Sequence, residues 1–413
     1  MNLSKFGLLF VVFVDVMGQG LIFPIINSLV QDPAEGILPP GTLSATRHFD
    51  YGLVIGAFYL SWFLGSVYIS KLSDSIGRKN GILICLAGAL AGYILTILSI
   101  AWGSLWLMVL GRAITGFTAG NQPIAQAAMV DLSRDDADKT RNMGYIVTAL
   151  SLGLIAGPVV AGALSDKSLL GDFASLSLPF YFAMGTVIIA AILITFFFED
   201  KLQDRAPLQV SPLDIFRLLW KIVQHPTVLR IAAVYFCFMF VWNTCYEFID
   251  PYLTSKFGIG TFGTSAAMLL IGVTLVIASS VLVSILNKHL SKQAIVAGGS
   301  AVMAISALVI VMSPSAAPVY LAAVPLAASF AVGYPTLLAM FSATVGADEQ
   351  GWVMGVTTAL WTLGAGLTAL LGGDLMAAGI AYPFVTAICG ALLSLALVAT
   401  IWRVPQIRQI AKA

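Results

Sequence analysis

A helix needs about 20 mostly apolar residues to cross the hydrocarbon core of a bilayer, and windows of that size divide this chain into long apolar stretches joined by short polar ones. The pattern predicts helical spans at 5–29, 51–71, 80–101, 105–130, 141–164, 178–198, 230–252, 264–286, 293–312, 317–342, 352–373 and 380–402. An all-α membrane protein of twelve transmembrane helices is the expected class. Pro24, Pro123, Pro158 and Pro335 fall inside these stretches and predict kinks, since neighbouring helices can satisfy the backbone groups that proline frees. The longest polar segment runs from Glu199 to Pro226 and divides the spans six and six. It gives expected bundles at 1–198 and 230–413 with a cytoplasmic linker at 199–229. Within the linker, Ser211 to Val223 interleaves apolar residues with Arg and Lys, which fits either a helix on the membrane surface or a solvated connector.

Composition agrees with lipid as the solvent. Of 413 residues 59% are hydrophobic and only 10% charged, against roughly 25% charged in soluble domains, and mean hydropathy is +0.94. A net charge of +1 and three histidines give no basic face for nucleic acid and no cluster for a metal. Cys85, Cys237, Cys245 and Cys389 all lie in apolar stretches without C-x-x-C spacing and read as small buried hydrophobes. No P-loop or nucleophile motif is present, so neither an enzyme nor a cofactor is expected. The first apolar stretch contains Asp15 and is not followed by a small-residue cleavage site, so it reads as a retained helix and not a signal peptide. Lysine and arginine fix the orientation. Alternate loops hold only Arg47, Lys167 and Lys256, and Arg112 lies within a span; the rest, from Lys5, Lys71 and Lys139 through Lys201 and Arg205 to Arg408 and Lys412, fall on one side. By the positive-inside rule that side, with both termini, is cytoplasmic.

Internal similarity relates the two sets of spans. Met143-Gly144, Thr148-Ala149-Leu150 and Gly153 recur as Met354-Gly355, Thr358-Ala359-Leu360 and Gly364, so span five resembles span eleven. Duplicated halves of this kind typify carriers that rock about a site near the bilayer midplane.

Several motifs then narrow the class. Between spans two and three runs Gly65-Ser-Val-Tyr-Ile-Ser-Lys-Leu-Ser-Asp74-Ser-Ile-Gly77-Arg78-Lys79, similar to the G-x-x-x-D-x-x-G-R-K/R loop of the major facilitator superfamily. Span four holds Arg112-Ala-Ile-Thr-Gly116-Phe-Thr-Ala-Gly120-Asn121-Gln122, similar to the superfamily's R-x-x-x-G-x-x-x-G/A signature. Span five holds Gly153-Leu-Ile-Ala-Gly157-Pro158-Val-Val-Ala161-Gly162, which resembles the motif marking drug/proton antiporters within it. The Val14-Asp15-Val-Met-Gly18-Gln19-Gly20-Leu-Ile-Phe23-Pro24 run of span one resembles the opening helix of tetracycline/proton and multidrug/proton antiporters. The likeness covers essentially the whole chain. One departure is the second-half copy of the loop, reduced to Asn287-Lys288-His289-Leu290-Ser291-Lys292.

The resemblance implies two pseudo-symmetric six-helix bundles in a bacterial inner membrane, a small-molecule substrate, protons as coupling partner, and a monomer that needs no cofactor. It also implies that Gly65, Asp74, Gly77, Arg78 and Lys79 form a cytoplasmic latch, with Asp131 at the end of span four as a partner. Gly116, Gly120, Gly153, Gly157, Pro158, Ala161 and Gly162 become helix-packing positions, the span-five stripe facing span eight. An arginine inside a membrane helix costs about 2.5–3.5 kcal/mol unless it finds water or a partner, so Arg112 is expected either to face the central cavity or to snorkel.

Among the acidic residues Asp15 and Glu247 stand clearly inside spans, with Asp250 nearer the periplasmic end. Asp15 with Gln19, and Asn243 with Glu247, share helix faces at i, i+4. Desolvation and a neighbouring guanidinium pull a carboxylate's proton affinity in opposite directions. A motion that makes and breaks contact with Arg112 is therefore a coupling device, and Asp15, Glu247 and Arg112 are the candidate proton-coupling residues. Asp15 bonded only to a neighbouring helix is the plainer alternative. Candidate cavity residues are Gln19, Phe23, Asn121, Gln122, Gln126, Trp242, Asn243, Tyr246, Asp250 and Trp361, with Phe238, Phe240 and Met354 as further members of an aromatic, adaptable wall. A proton-driven exporter of drug-like or secreted small molecules is the leading expectation. An importer or a siderophore or metabolite exporter on the same scaffold is the nearest alternative, and a non-transporting receptor a remote one.

Overall fold

The computed structural model describes residues 3–200, 208, 210–346 and 349–412. Lys201, Arg205 and Pro207 of the expected linker, and the side chains of Arg408 and Lys412, lie outside the described residues. The helices are α1 (Leu3–Gln31), α2 (Ser44–Ile76), α3 (Arg78–Trp102), α4 (Leu105–Phe117), α5 (Asn121–Asp131), α6 (Asp136–Ser165), α7 (Lys167–Leu170), α8 (Leu178–Phe197), α9 (Asp214–Gln224) and α10 (Pro226–Phe257). They continue with α11 (Thr261–Ile277), α12 (Val283–His289), α13 (Lys292–Met312), α14 (Ala316–Ser342), α15 (Gln350–Ala378), α16 (Tyr382–Thr400) and α17 (Pro405–Lys412). A helix satisfies its backbone hydrogen bonds internally, which is why such a sequence can cross lipid in this form. α1, α6 and α14 run unbroken through Pro24, Pro158 and Pro335.

Eleven of the described helical rods are long and apolar enough to span a membrane. The expected continuous span at 105–130 is the exception: it is two short helices, α4 and α5, separated at Thr118–Gly120. Pro123 explains the break, because it can neither donate to the carbonyl of Ala119 nor tolerate that carbonyl beneath its ring. The kink expected there is a full interruption, and a count of twelve crossings needs α4 and α5 to act in series.

By their contacts the residues group into two units, Met1–Pro212 with Gly260–Leu269, and Leu213–Ile259 with Leu270–Ala413. The change at 212 falls within the expected linker. The start of α11, expected in the second bundle, groups with the first, where Ser28 Oγ lies 2.6 Å from Thr261 Oγ1. In the first unit α1 packs along α6 and α8, α4 packs on α2 and α3, and α3 meets α8. In the second, α10 packs along α15 and α16, and α13 along α14 and α16. The resembling spans five and eleven are α6 and α15, which pack on the opening helix of their own unit in each case.

Apolar surface faces outward as well as inward. On α8 Phe180, Ala183, Val187, Ala190 and Ile194 are buried, while Phe182, Ile189, Ile192 and Phe196 on the other faces are exposed. Such a surface is stable only against lipid tails.

The Ser211 to Val223 stretch contains α9, and its register gives three faces. Ile215 and Ile222 are buried. Lys221 lies 2.6 Å from Glu349 and 4.3 Å from the centre of the Trp352 ring, and Trp352 Nε1 donates to the Leu218 carbonyl at 3.4 Å, which pins the helix to the start of α15. Lys221 holds the Glu349 carboxyl below its ordinary range by hydrogen bonding to it. Phe216, Trp220 and Val223 remain exposed on the third face. A nitroxide label placed at Trp220 should be more accessible to dissolved oxygen than to a water-soluble nickel chelate in bilayers, as for a residue at the lipid interface. Preferential quenching by the chelate would make α9 a solvated connector.

Candidate transport site

α1 carries Asp15 and Gln19 one turn apart, and both line a small cavity within the first unit. Its volume of about 20 Å³ suits a water molecule and no large ligand. Gly18 and Ile22 of α1, Phe58 of α2, Tyr93 of α3, Thr115 of α4, Asn121 of α5 and Val187 of α8 complete much of the lining. The Asn121 amide donates to Asp15 Oδ1 at 3.5 Å. Asn121 reaches that carboxylate because the break before Pro123 starts α5 at residue 121 and leaves its side chain on the inner face.

Arg112 sits on α4 with no exposed surface. Among the described residues none of its three guanidinium nitrogens has a hydrogen-bond partner, and its guanidinium carbon lies 5.8 Å from the centre of the Phe58 ring. Snorkelling is thereby excluded. Among the described residues no ion pair joins Arg112 to Asp15, so the pairing that sequence reasoning offered is absent from this conformation. Phe23 is buried in α1; Gln122 and Gln126 are half-buried on α5 and are not among the residues lining the Asp15 cavity.

The second unit holds a separate polar and aromatic group. Glu247 and Asp250 are fully buried on α10, and both Asp250 oxygens lack a hydrogen-bond partner among the described residues. The Trp361 indole on α15 donates to Asn243 Oδ1 at 3.1 Å. Trp242 stacks on Tyr246 (centroids 5.3 Å apart) and on Phe330 (4.0 Å); Phe330 stacks on Tyr334 (5.2 Å), which leans on Trp361 at 5.9 Å. Phe330 and Tyr334 escaped sequence reasoning, although their i, i+4 spacing on one face of α14 was a usable signal. Phe238 departs from the expected wall: it is fully buried, with its ring against Gly333 and Gly299.

The loop signature organises one end of the first unit. Gly77 has φ +96°, a conformation in which a side chain is strained, so glycine is needed for the sharp α2–α3 turn. Arg78 pairs with Asp74 and lies 3.5 Å from Asp131. Lys79 donates its backbone N–H to Asp200 at 3.3 Å and its ammonium to the Thr195 carbonyl at 2.7 Å. All these bonds lie within the first unit.

The small residues let backbones meet. A Cβ at Gly65 would fall 2.0 Å from the Phe117 carbonyl oxygen, one at Gly116 2.1 Å from that of Phe58, and one at Gly120 2.5 Å from Ile69 Cγ2. The α6 stripe differs from expectation. Gly153 and Gly157 face α1, where added Cβ atoms would meet the Phe13 and Met17 carbonyls at 2.6 Å each, and Pro158 lies against Gly20. Gly20 on the facing helix permits this approach. Ala161 is fully buried, and Gly162 alone meets α11, at Ser265.

A further polar network at the same end as the loop signature was not foreseen, because its members are far apart in sequence. Lys5 Nζ donates to Asp138 Oδ2 at 3.2 Å and to Asn142 Oδ1 at 2.9 Å; Arg141 donates to Asp138 at 2.5 Å, and the Arg134 N–H also reaches it. Hydrogen bonds from Lys5, then Arg141, hold the Asp138 carboxyl down at about 2. Toward the other end, Glu35 bonds Lys167 at 2.5 Å and holds its ammonium pKa above the ordinary value.

Residues 8–369 match the Major Facilitator Superfamily, and the chain belongs to that family of membrane transporters. It is 26% identical over 381 residues to the tetracycline resistance protein, class G, of Vibrio anguillarum, covering 90% of this chain and 91% of that one. It is 26% identical over 238 residues to the quinolone resistance protein NorA of Staphylococcus aureus, covering 57% and 56%. The crystal structure of a D-xylose–proton symporter superposes with a TM-score of 0.75 at 13% identity, covering 99% of both chains, which shows the shared fold.

A carboxyl whose pKa is lowered on folding adds stability above its unfolded value, roughly 3.9 for aspartate, and that stability disappears as pH falls through about 2. Asp138→Asn should therefore lower the thermal midpoint of the purified protein by the same amount at pH 5 and pH 8. A penalty that shrinks on going from pH 8 to pH 5 would contradict the bonded, ionised carboxylate.

Proposed function

We propose that this chain is a proton-coupled exporter of small amphipathic molecules, drugs or secreted metabolites, in a bacterial inner membrane. Asp15 carries the reading: a carboxylate on the first membrane helix, in a small, mostly apolar cavity and bonded to one amide. Ionised carboxylates inside membranes are tolerated where they line water or a moving passage, and there they commonly take and release protons. Similarity to a tetracycline resistance protein over nine-tenths of the chain supports export as the direction.

In this reading Asp15 exchanges its proton with water in the first unit. Glu247 and Asp250 form a second proton-handling group, and the Trp242–Phe330–Tyr334–Trp361 stack offers flat, polarisable faces to aromatic ring systems. The Asp74–Arg78–Asp131 group ties the cytoplasmic ends of α2, α3 and α5. Both termini are cytoplasmic, supported by Lys5, Arg78, Lys79, Arg134 and Arg141 against Arg47 and Lys167. The working unit is a monomer, since one chain carries both groups of acidic residues.

Proteoliposomes with an imposed pH gradient test this. The wild type should move tetracycline or ethidium against the proton gradient, and Asp15→Asn should reduce gradient-driven flux to background while the protein still inserts and binds the dye. Flux indifferent to the gradient, or flux of substrate in the same direction as protons, would overturn the antiport reading.

A further inference from the structure

Among the described residues Arg112 is a cation without a hydrogen-bonding partner, and Asp15 is an acid bonded to a single amide. Tyr93 of α3 neighbours both elements: it lines the Asp15 cavity, and a Cβ at Gly111, the residue before Arg112, would lie 2.9 Å from the carbonyl oxygen of Gly92, the residue before Tyr93. Its side chain is 4% exposed and interacts electrostatically with both Arg112 and Asp15. Its hydroxyl also touches α1: a Cβ built at Gly18, one turn from Asp15, would lie 2.2 Å from Tyr93 Oη, and nothing beyond that phenol lies within 4 Å of it. The absence of a side chain at residue 18 thus leaves the space that the hydroxyl fills.

The ionisable groups around the site come from three helices. α1 supplies Asp15, α4 supplies Arg112, and α3 supplies Tyr93 and Cys85, whose thiol also senses Asp15. α8 presents Val187 to the cavity and Phe180 to the Tyr93 ring at 6.2 Å. A phenol can accept a hydrogen bond from a guanidinium and donate one to a carboxylate at the same time, which neither neighbour can do alone.

We propose that Tyr93 is the positioning residue through which Arg112 acts on Asp15, its hydroxyl accepting from the guanidinium and donating to the ionised carboxylate during the transport cycle. Tyr93 keeps its own proton throughout. The proton that neutralises Asp15 comes from cavity water, and the carboxylate returns it to water when the bridge reforms. This rests on the reading of the chain as a proton-coupled carrier.

Ethidium efflux in everted membrane vesicles, followed from pH 5.5 to pH 9 (roughly, the range over which a perturbed carboxylate is read), tests both statements separately. The wild type must respond to the pH gradient; if it does not, proton coupling fails and the bridge falls with it. Given that response, Tyr93→Phe should displace the pH profile upward by at least about half a unit, since loss of the donor disfavours the ionised acid. Gly18→Ala should do the same by displacing the phenol, and the double variant should shift no further than either single one. The Gly18→Ala arm decides the matter if Tyr93→Phe does not fold, and ethidium binding by detergent-purified protein verifies folding in each case. A coupled wild type with unshifted variants, or shifts that add, would overturn the assignment.

Discussion

Charge inside an apolar bundle is the constraint on which this structure turns. Arg112 is completely buried with no hydrogen bond among the described residues, and Asp15 shares a small cavity with two amides, Gln19 and Asn121, and a phenol. Each is held at a position where desolvation is costly and a partner is only partly supplied. In the proton-coupled carrier proposed above, this balance of burial against partial pairing is what lets Asp15 take and release a proton as neighbouring side chains move. A fully paired Asp15–Arg112 bridge would be a static strut.

The rest of the first unit serves this balance by holding backbones rigidly close. α6 lies against α1 through Gly153, Gly157 and Gly20, and α4 lies against α2 through Gly116. Helices that meet through backbone atoms have little freedom to relax around a charge, so response is confined to the few side chains at the cavity: Tyr93, Asn121 and Gln19. The second unit repeats the pairing of its opening helix with the fifth, yet arms it differently, with two buried acids and an aromatic stack in place of an acid and an arginine. Duplicated architecture thus carries divergent chemistry, an acid with a buried arginine in the first unit and two acids with an aromatic stack in the second.

Much of this was legible in the sequence because membrane helices announce themselves by length and hydropathy, and because Asp15, Arg112 and Glu247 are conspicuous in apolar surroundings. Spans and loop signature follow from local composition. What escaped depends on tertiary placement. The break ahead of Pro123 reads from sequence as a kink, because proline in a membrane helix is compatible with either outcome; in the structure Gly120 lies against Ile69 and Asn121 bonds Asp15 at the interruption. The partner of the α6 stripe was misread because a small-residue face fits any helix that is equally small, and Gly20 made α1 that helix. Tyr93, Phe330 and Tyr334 look like ordinary lipid-facing aromatics until their neighbours are known. The Lys5–Asp138–Asn142 network joins residues more than 130 positions apart and has no local signature.

The central claim is that substrate handling is coupled to the protonation of Asp15. The direct measurement is proton release from purified protein in weakly buffered detergent as ethidium or tetracycline is added, read with a pH-sensitive dye. Binding to the wild type should eject protons in a pH-dependent amount, and binding to Asp15→Asn should eject fewer or none. Binding that releases no proton from the wild type, or the same number from both proteins, would contradict the account.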